Sequence, residues 1–158
     1  GVLFVNGNHE TYLGTQKSFD ILQTTKVHIL RDEVVDIDGL AFVGVSYPER
    51  GERKDIVGTV QKLSAQFSDK PSVLLYHSPM DVRHMAKTGI NLQLAGHTHQ
   101  GQQFPFMFIT RLVHKGFDYG LYNLGNFWLY TSSGVGTWGP AMRIGTQSEI
   151  VVITLKGE

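Results

Sequence analysis

Short apolar runs alternate with polar, glycine-rich turns along the chain, and most runs have the length of a strand. Val2 to Val5, Val27 to Leu30, Glu33 to Asp38, Leu40 to Val45, Ser72 to Tyr76 and Ile90 to Ala95 read as strands, the first, fifth and sixth of them as buried ones. Asp38-Gly39 marks a hairpin between the third and fourth. Helical spacing is weak over Thr15 to Leu22 and clear over Ile56 to Phe67, with apolar residues at 56, 57, 60, 63 and 67. Pro79 and the segment Asp81 to Lys87 predict another helix, ended by Gly89. Strand, helix and strand in succession predict a right-handed crossover and two parallel strands in one sheet. Residues 102 to 113 form an apolar segment. Packing onto the body of the domain is the favoured reading; the other is a greasy lip, suited to a lipid-bearing substrate or a membrane surface. Tyr119 to Tyr130 predicts a hairpin or two short strands, and Glu149 to Leu155 a closing strand. With no repeat and no linker, the pattern predicts one α/β domain over residues 1–158.

Several of these strands end on polar residues of one kind. Asn6-Gly7-Asn8 is a turn signal that places Asn8, His9 and Glu10 past the first strand. His77 follows the strand at 72–76, and His97 and His99 follow the strand at 90–95. Ligands of open α/β sheets bind at such carboxyl ends. Residues two apart point to opposite sides of a strand, so His97 and His99 converge only if the chain bends, which Gly96 and Gly101 permit. On this stretch alone, metal ligands and a polar loop bonded to its own backbone are equally supported. Taken together, the carboxamide of Asn8 and the imidazoles of His77, His97 and His99 suit zinc, manganese or iron. Such an ion polarises a phosphoryl oxygen and activates a water. His9, pointing away from Asn8, could serve a leaving group as general acid, oriented by Glu10 or another carboxylate. The plainer reading makes Asn8 a turn residue and His9-Glu10 a solvated pair. His28 and His84 read as structural or surface histidines. Ser132 to Pro140 is a glycine-rich loop able to offer N–H groups to a phosphate. Arg143 behind it is a candidate phosphate contact or, equally, a salt-bridge partner.

Composition narrows the chemistry. The chain's 158 residues are enough for one domain with a real core. Its 14 lysines and arginines balance 14 aspartates and glutamates, so the net charge carries no footprint of nucleic acid or of an anionic membrane. There is no cysteine, which excludes disulfides, thiolate metal sites and thiol catalysis. A metal must therefore be held by His, Asn, Asp or Glu. No apolar run reaches the ~18 residues of a membrane span.

Gly7-Asn8-His9-Glu10, Tyr76-His77-Ser78 and Gly96-His97-Thr98-His99 resemble, in order, the third, fourth and fifth motifs of the calcineurin-like metallophosphoesterases. The tail Gly134 to Arg143, with Ser148-Glu149-Ile150, resembles a branch of small bacterial members that are often membrane-associated. The resemblance covers nearly the whole chain. It implies a β-sandwich flanked by helices, the calcineurin-like αββα arrangement, with a dinuclear centre at the strand ends. It implies that Asn8, His77 and His97 bind one metal, His99 the other, and that His9 acts near the leaving group. The implied activity is metal-dependent hydrolysis of phosphodiester or pyrophosphate bonds, on lipid-linked substrates in that branch. The implied cofactors are two divalent ions, manganese, zinc or iron. The family's first two motifs, Asp-x-His and Gly-Asp, do not occur in this chain. The expectation is a carboxyl-terminal portion that lacks the first strands, holds one metal or none, and is weak or inactive alone. Such a chain would be soluble, with an exposed sheet edge open to self-association. Its parent would be membrane-associated in a bacterium. The competing expectation is a non-catalytic fragment that binds metal or a phosphorylated ligand without turnover.

Overall fold

The computed structural model describes residues 1–156. It holds two sheets. In the smaller, β1 (Val2–Phe4) pairs in parallel with β2 (Val27–Ile29). The larger contains β3 (Glu33–Ile37), β4 (Leu40–Gly44), β5 (Ser72–Leu75), β6 (Leu92–Ala95), β7 (Gly120–Asn123) and β8 (Trp128–Thr131). Its order is β3-β4-β5-β6-β8-β7. The four central strands are parallel and the two outer ones antiparallel. The helices are α1 (Asn8–Leu13), α2 (Thr15–Leu22), α3 (Ile56–Leu63), α4 (Val82–Met85) and α5 (Phe106–Val113). The fold is thus mixed α/β, a mixed sheet flanked by helices, and the parallel pairing of β5 with β6 is the one the strand–helix–strand order predicts.

Local chemistry explains the elements. Asp38 and Gly39 take φ of 53° and 82°, the doubly left-handed turn whose twist matches a hairpin. The Asp36 carboxylate accepts the Gly39 N–H at 3.0 Å and fixes that turn. Asp55 caps α3 by accepting the Gly58 N–H at 2.8 Å. Alternate residues along the central strands supply the core: Ala41, Val43, Leu74 and Leu129 meet Ile56 and Val60 of α3 on one face. Leu30, fully buried after β2, presses on Gly44 of β4, where a Cβ would overlap it. That contact joins the small sheet to the large one.

Two expectations fail and a third holds only in part. β1 is a strand but not a buried one: Val2 is exposed, because β1 has β2 on one edge and no second partner among the described residues. Glu149 to Leu155 forms no strand. Glu149 is held by its side chain instead, accepting from Ser132 Oγ at 3.0 Å, the Ser133 N–H at 2.9 Å and Tyr119 Oη at 3.1 Å, and Ile150 and Val152 beyond it stand in solvent. The segment at 102–113 packs onto the body only in part: Gln102 is fully buried and Met107 and Thr110 are half-buried, but α5, which it forms from Phe106 on, has no buried residue and leaves its other apolar side chains exposed.

Candidate metal centre

The parallel strands β4, β5 and β6 end on one rim, and the residues just past them are Tyr47, His77 and His97. Asn8 reaches the same rim from β1 as the first residue of α1. Asn6 aligns the two sheets there. It is fully buried, its Nδ2 donates to the Tyr47 carbonyl at 3.1 Å, and its Oδ1 accepts the Tyr47 N–H at 2.9 Å. The turn then tightens, because Glu10 Oε2 accepts the Gly7 N–H at 2.7 Å. Glu10 is therefore committed to the start of α1, not to orienting His9.

Three donor atoms meet. Asn8 Oδ1 lies 2.7 Å from His77 Nε2 and 3.1 Å from His97 Nδ1, and the two ring nitrogens are 3.1 Å apart. An ion held at about 2.1 Å by donors at right angles needs neighbouring donors about 3.0 Å from one another. The trio has the spacing of one face of such a site. Its donor set, one amide oxygen and two neutral imidazoles, fits a borderline divalent ion and brings no negative charge. Among the described residues no group of three or more His, Asp or Glu is placed to hold a metal, since the third donor here is an asparagine.

His99 goes elsewhere. The chain turns through left-handed backbone at His97 (φ 72°), His99 (φ 49°) and Gln100 (φ 53°), an accumulation of strain of the kind found at functional loops. The bend that was required does occur, but it aims His97 at the trio and His99 at Arg143. Arg143 Nη2 lies 3.4 Å from His99 Nδ1. Its Nη1 donates to the His99 carbonyl at 3.1 Å and its Nη2 to the carbonyls of Gly136 and Ser133 at 2.6 and 2.7 Å. The guanidinium clamps the glycine-rich loop onto the histidine loop. Among the described residues the group beside His99 Nδ1 is the Arg143 guanidinium, while the ring still lines the same cavity as Asn8 and His97. His9, exposed and edge-on to Tyr12, shares with Asn8, His97, His99 and Trp138 the lining of a cavity of about 320 Å³.

Three participants escaped sequence reading. Tyr47 packs edge-on against the His77 ring at 5.4 Å and lies 6.1 Å from that of His97. Asn6 had read only as a turn residue. His114, at the end of α5, sets its ring 6.0 Å from that of His97. None lies in a motif, and only their contacts across the chain reveal them.

Burial lowers His77 to about 4, helped by the neighbouring His9 and His99. Burial also lowers His97 to about 4, with His77 and His114 adding to it. Both rings are therefore neutral at pH 7 and able to ligate. The sign for stability follows. From pH 6.5 down to about 4 the unfolded chain takes up protons that the folded chain refuses. The stability of the chelator-treated chain is expected to be complete above pH 6.5 and to fall across that window. Thermal unfolding midpoints recorded through the window check this, and an unchanged midpoint would contradict it.

No family model matches the chain, and no solved structure matches it. Relatives do. An uncharacterized metallophosphoesterase of Campylobacter jejuni is 37% identical over 100% of this chain and 43% of its own length. One from Aquifex aeolicus is 32% identical over 100% of this chain and 62% of its own. The chain belongs to the metallophosphoesterase family. A bovine transmembrane protein with metallophosphoesterase domain is 32% identical over 99% of this chain and 39% of its own length. The chain thus spans less than two thirds of each of these metallophosphoesterases. No helix among its described residues is long and apolar enough to cross a membrane.

Proposed function

We propose that this metallophosphoesterase chain carries a metal-binding half-site of a metal-dependent phosphoesterase that hydrolyses phosphodiester or pyrophosphate bonds. The observation that carries the reading is the convergence of Asn8 Oδ1, His77 Nε2 and His97 Nδ1 within 3.1 Å of one another. Those three residues would hold the ion. When bound, a divalent metal supplies Lewis-acid polarisation of a phosphoryl oxygen and a water of lowered pKa. In this reading His9 gives a proton to the leaving oxygen, which its exposure on the cavity wall beside Asn8 supports. We assign Arg143 to holding His99 and the glycine-rich loop rather than to substrate, because its Nη1 and Nη2 already donate to main-chain carbonyls. A leaving group with a lipid tail suits the site, since Trp138, half exposed, forms part of its wall. The αββα layering of the calcineurin-like proteins belongs to the same proposal, with β1 and β2 as part of its second sheet.

The test is hydrolysis of a chromogenic phosphodiester after chelation and after adding back manganese, zinc or iron. Turnover that rises with metal bound is the expected result. A chain that retains no metal, or hydrolysis indifferent to chelator, would overturn the reading.

A further inference from the structure

We infer that α5 and the segment leading into it are a membrane-docking surface, fitted to the interface of an anionic lipid bilayer. The helix is amphipathic in the inverted sense. Met107 and Thr110, half-buried, are turned to the body, while Phe108, Ile109, Leu112 and Val113 face solvent. Leu112 is 80% exposed and Phe108 63%, the latter edge-on to the equally exposed Phe104 ring at 6.1 Å, so the two rings form one exposed apolar patch. The helix is nevertheless seated firmly. A Cβ on Gly101 would come within 2.5 Å of the Met107 backbone, so the first turn of α5 rests directly on that glycine. A rigid helix that shows its apolar stripe to water needs a covering partner.

Charge identifies the partner. From Phe104 to Phe117 there is no acidic residue, and Arg111 and Lys115 stand exposed among the apolar positions. A cavity of about 200 Å³ at the carboxyl end of α5 is lined by Arg83, His84, His114 and Lys115, with Asp81 the one carboxylate. The balanced charge of the whole chain conceals this local excess. Exposed Phe and Leu beside Lys and Arg, on a helix too short to span, are the features of a segment lying in the plane of an anionic interface. The surface also runs on into the site. The Phe104 N–H donates to the Ile144 carbonyl at 2.8 Å, bringing the exposed Ile144 beside it. Gln102 bonds both the N–H and the carbonyl of Trp138, which lines the cavity with His9 and His97. A bilayer against α5 would thus lie beside the mouth of that cavity. The inference concerns a surface and does not rest on the metal reading.

The test is cosedimentation of the metal-free chain with vesicles of phosphatidylcholine alone and of phosphatidylcholine mixed with phosphatidylglycerol. Preferential, salt-sensitive binding to the mixed vesicles is expected. A Phe108→Asp, Leu112→Asp double variant should lose at least about tenfold in partitioning, since each side chain contributes one large apolar group. Its unfolding midpoint should not fall, because both side chains are already in water. Arg111→Gln with Lys115→Gln should remove most of the preference for the anionic vesicles. No binding to either vesicle, or equal binding by the double variant, would overturn the proposal. So would a dimer in solution that the double variant abolishes while vesicles are ignored, because the occupant would then be a second copy of the chain.

Discussion

His97→Ala is expected to weaken binding of manganese or zinc by at least about a hundredfold and to take metal-dependent hydrolysis with it. The ring nitrogen that is lost is one of three protein donors, standing 3.1 Å from each of the other two. The trio carries no charge to hold a cation at longer range, so removing one neutral donor leaves a bidentate site of little affinity. A hundredfold corresponds to about 2.7 kcal/mol, a modest value for one metal–ligand interaction. Asn8→Ala should behave alike, since its Oδ1 is the atom both imidazoles approach. His99→Ala is the useful contrast. It also removes an imidazole from the same loop, but one beside Arg143, and it should leave affinity for the first ion within a few fold. Calorimetric titration of the three variants, each checked for its unfolding midpoint, decides the matter. Metal binding that survives in His97→Ala, or that is lost equally in His99→Ala, would show that the donors are misassigned.

Gly7→Ala should be almost as damaging, although glycine 7 carries no chemistry. Its φ of −117° and ψ of −170° are ordinary extended backbone that alanine adopts freely, so conformational strain plays no part. The obstacle is the His77 ring. A Cβ at residue 7 would lie 2.6 Å from both Cε1 and Nδ1 of that ring. The ring has little room to retreat, with Tyr47 edge-on at 5.4 Å and the His97 ring at 4.9 Å. Either His77 moves by about an ångström or the turn before Asn8 does, and both uncouple the trio. Misplacement on that scale costs on the order of a hundredfold in rate, and overpacking a further 1–3 kcal/mol or so in stability. Gly136→Ala serves as the control, since nothing lies within 4 Å of the Cβ it would add. Metal affinity in Gly7→Ala equal to that of the control would rule out the close approach.

The two variants differ in how visible their targets are in the sequence. His97 stands in a histidine pair at the end of an apolar run, and both its residue type and its place announce chemistry. Gly7 reads as a turn residue, and nothing local says that an imidazole from position 77 will lie against it. The hairpin at Asp38-Gly39, the helix at Thr15–Leu22 and the parallel pairing of β5 with β6 were legible for the same reason as His97. Each depends on alternation, turn chemistry or connection length within a few residues. The apolar segment at 102–113 supported both packing onto the body and an exposed lip, and the sequence did not choose between them. Periodicity says which side of a helix is apolar, but not whether that side meets protein. The closing strand was misread, since a strand needs a partner as well as a pattern, and Glu149 is held by its side chain.

By itself the sequence determined the candidate donors, their places at the ends of strands, the exclusion of thiolate ligation and the α/β class. All of these are properties of short stretches or of composition. Tertiary structure alone decided which donors meet. Asn8 and His77 are 69 residues apart and Asn8 and His97 are 89 apart; parallel β5 and β6 deliver the two histidines to one rim, and Asn8 reaches it from the smaller sheet, which Asn6 ties to Tyr47. It alone turned His99 to Arg143, through left-handed backbone between Gly96 and Gln102, and it alone left the apolar face of α5 in water. Strand order and loop direction are set by burying a shared core at the least cost in strain, a property of the whole chain at once.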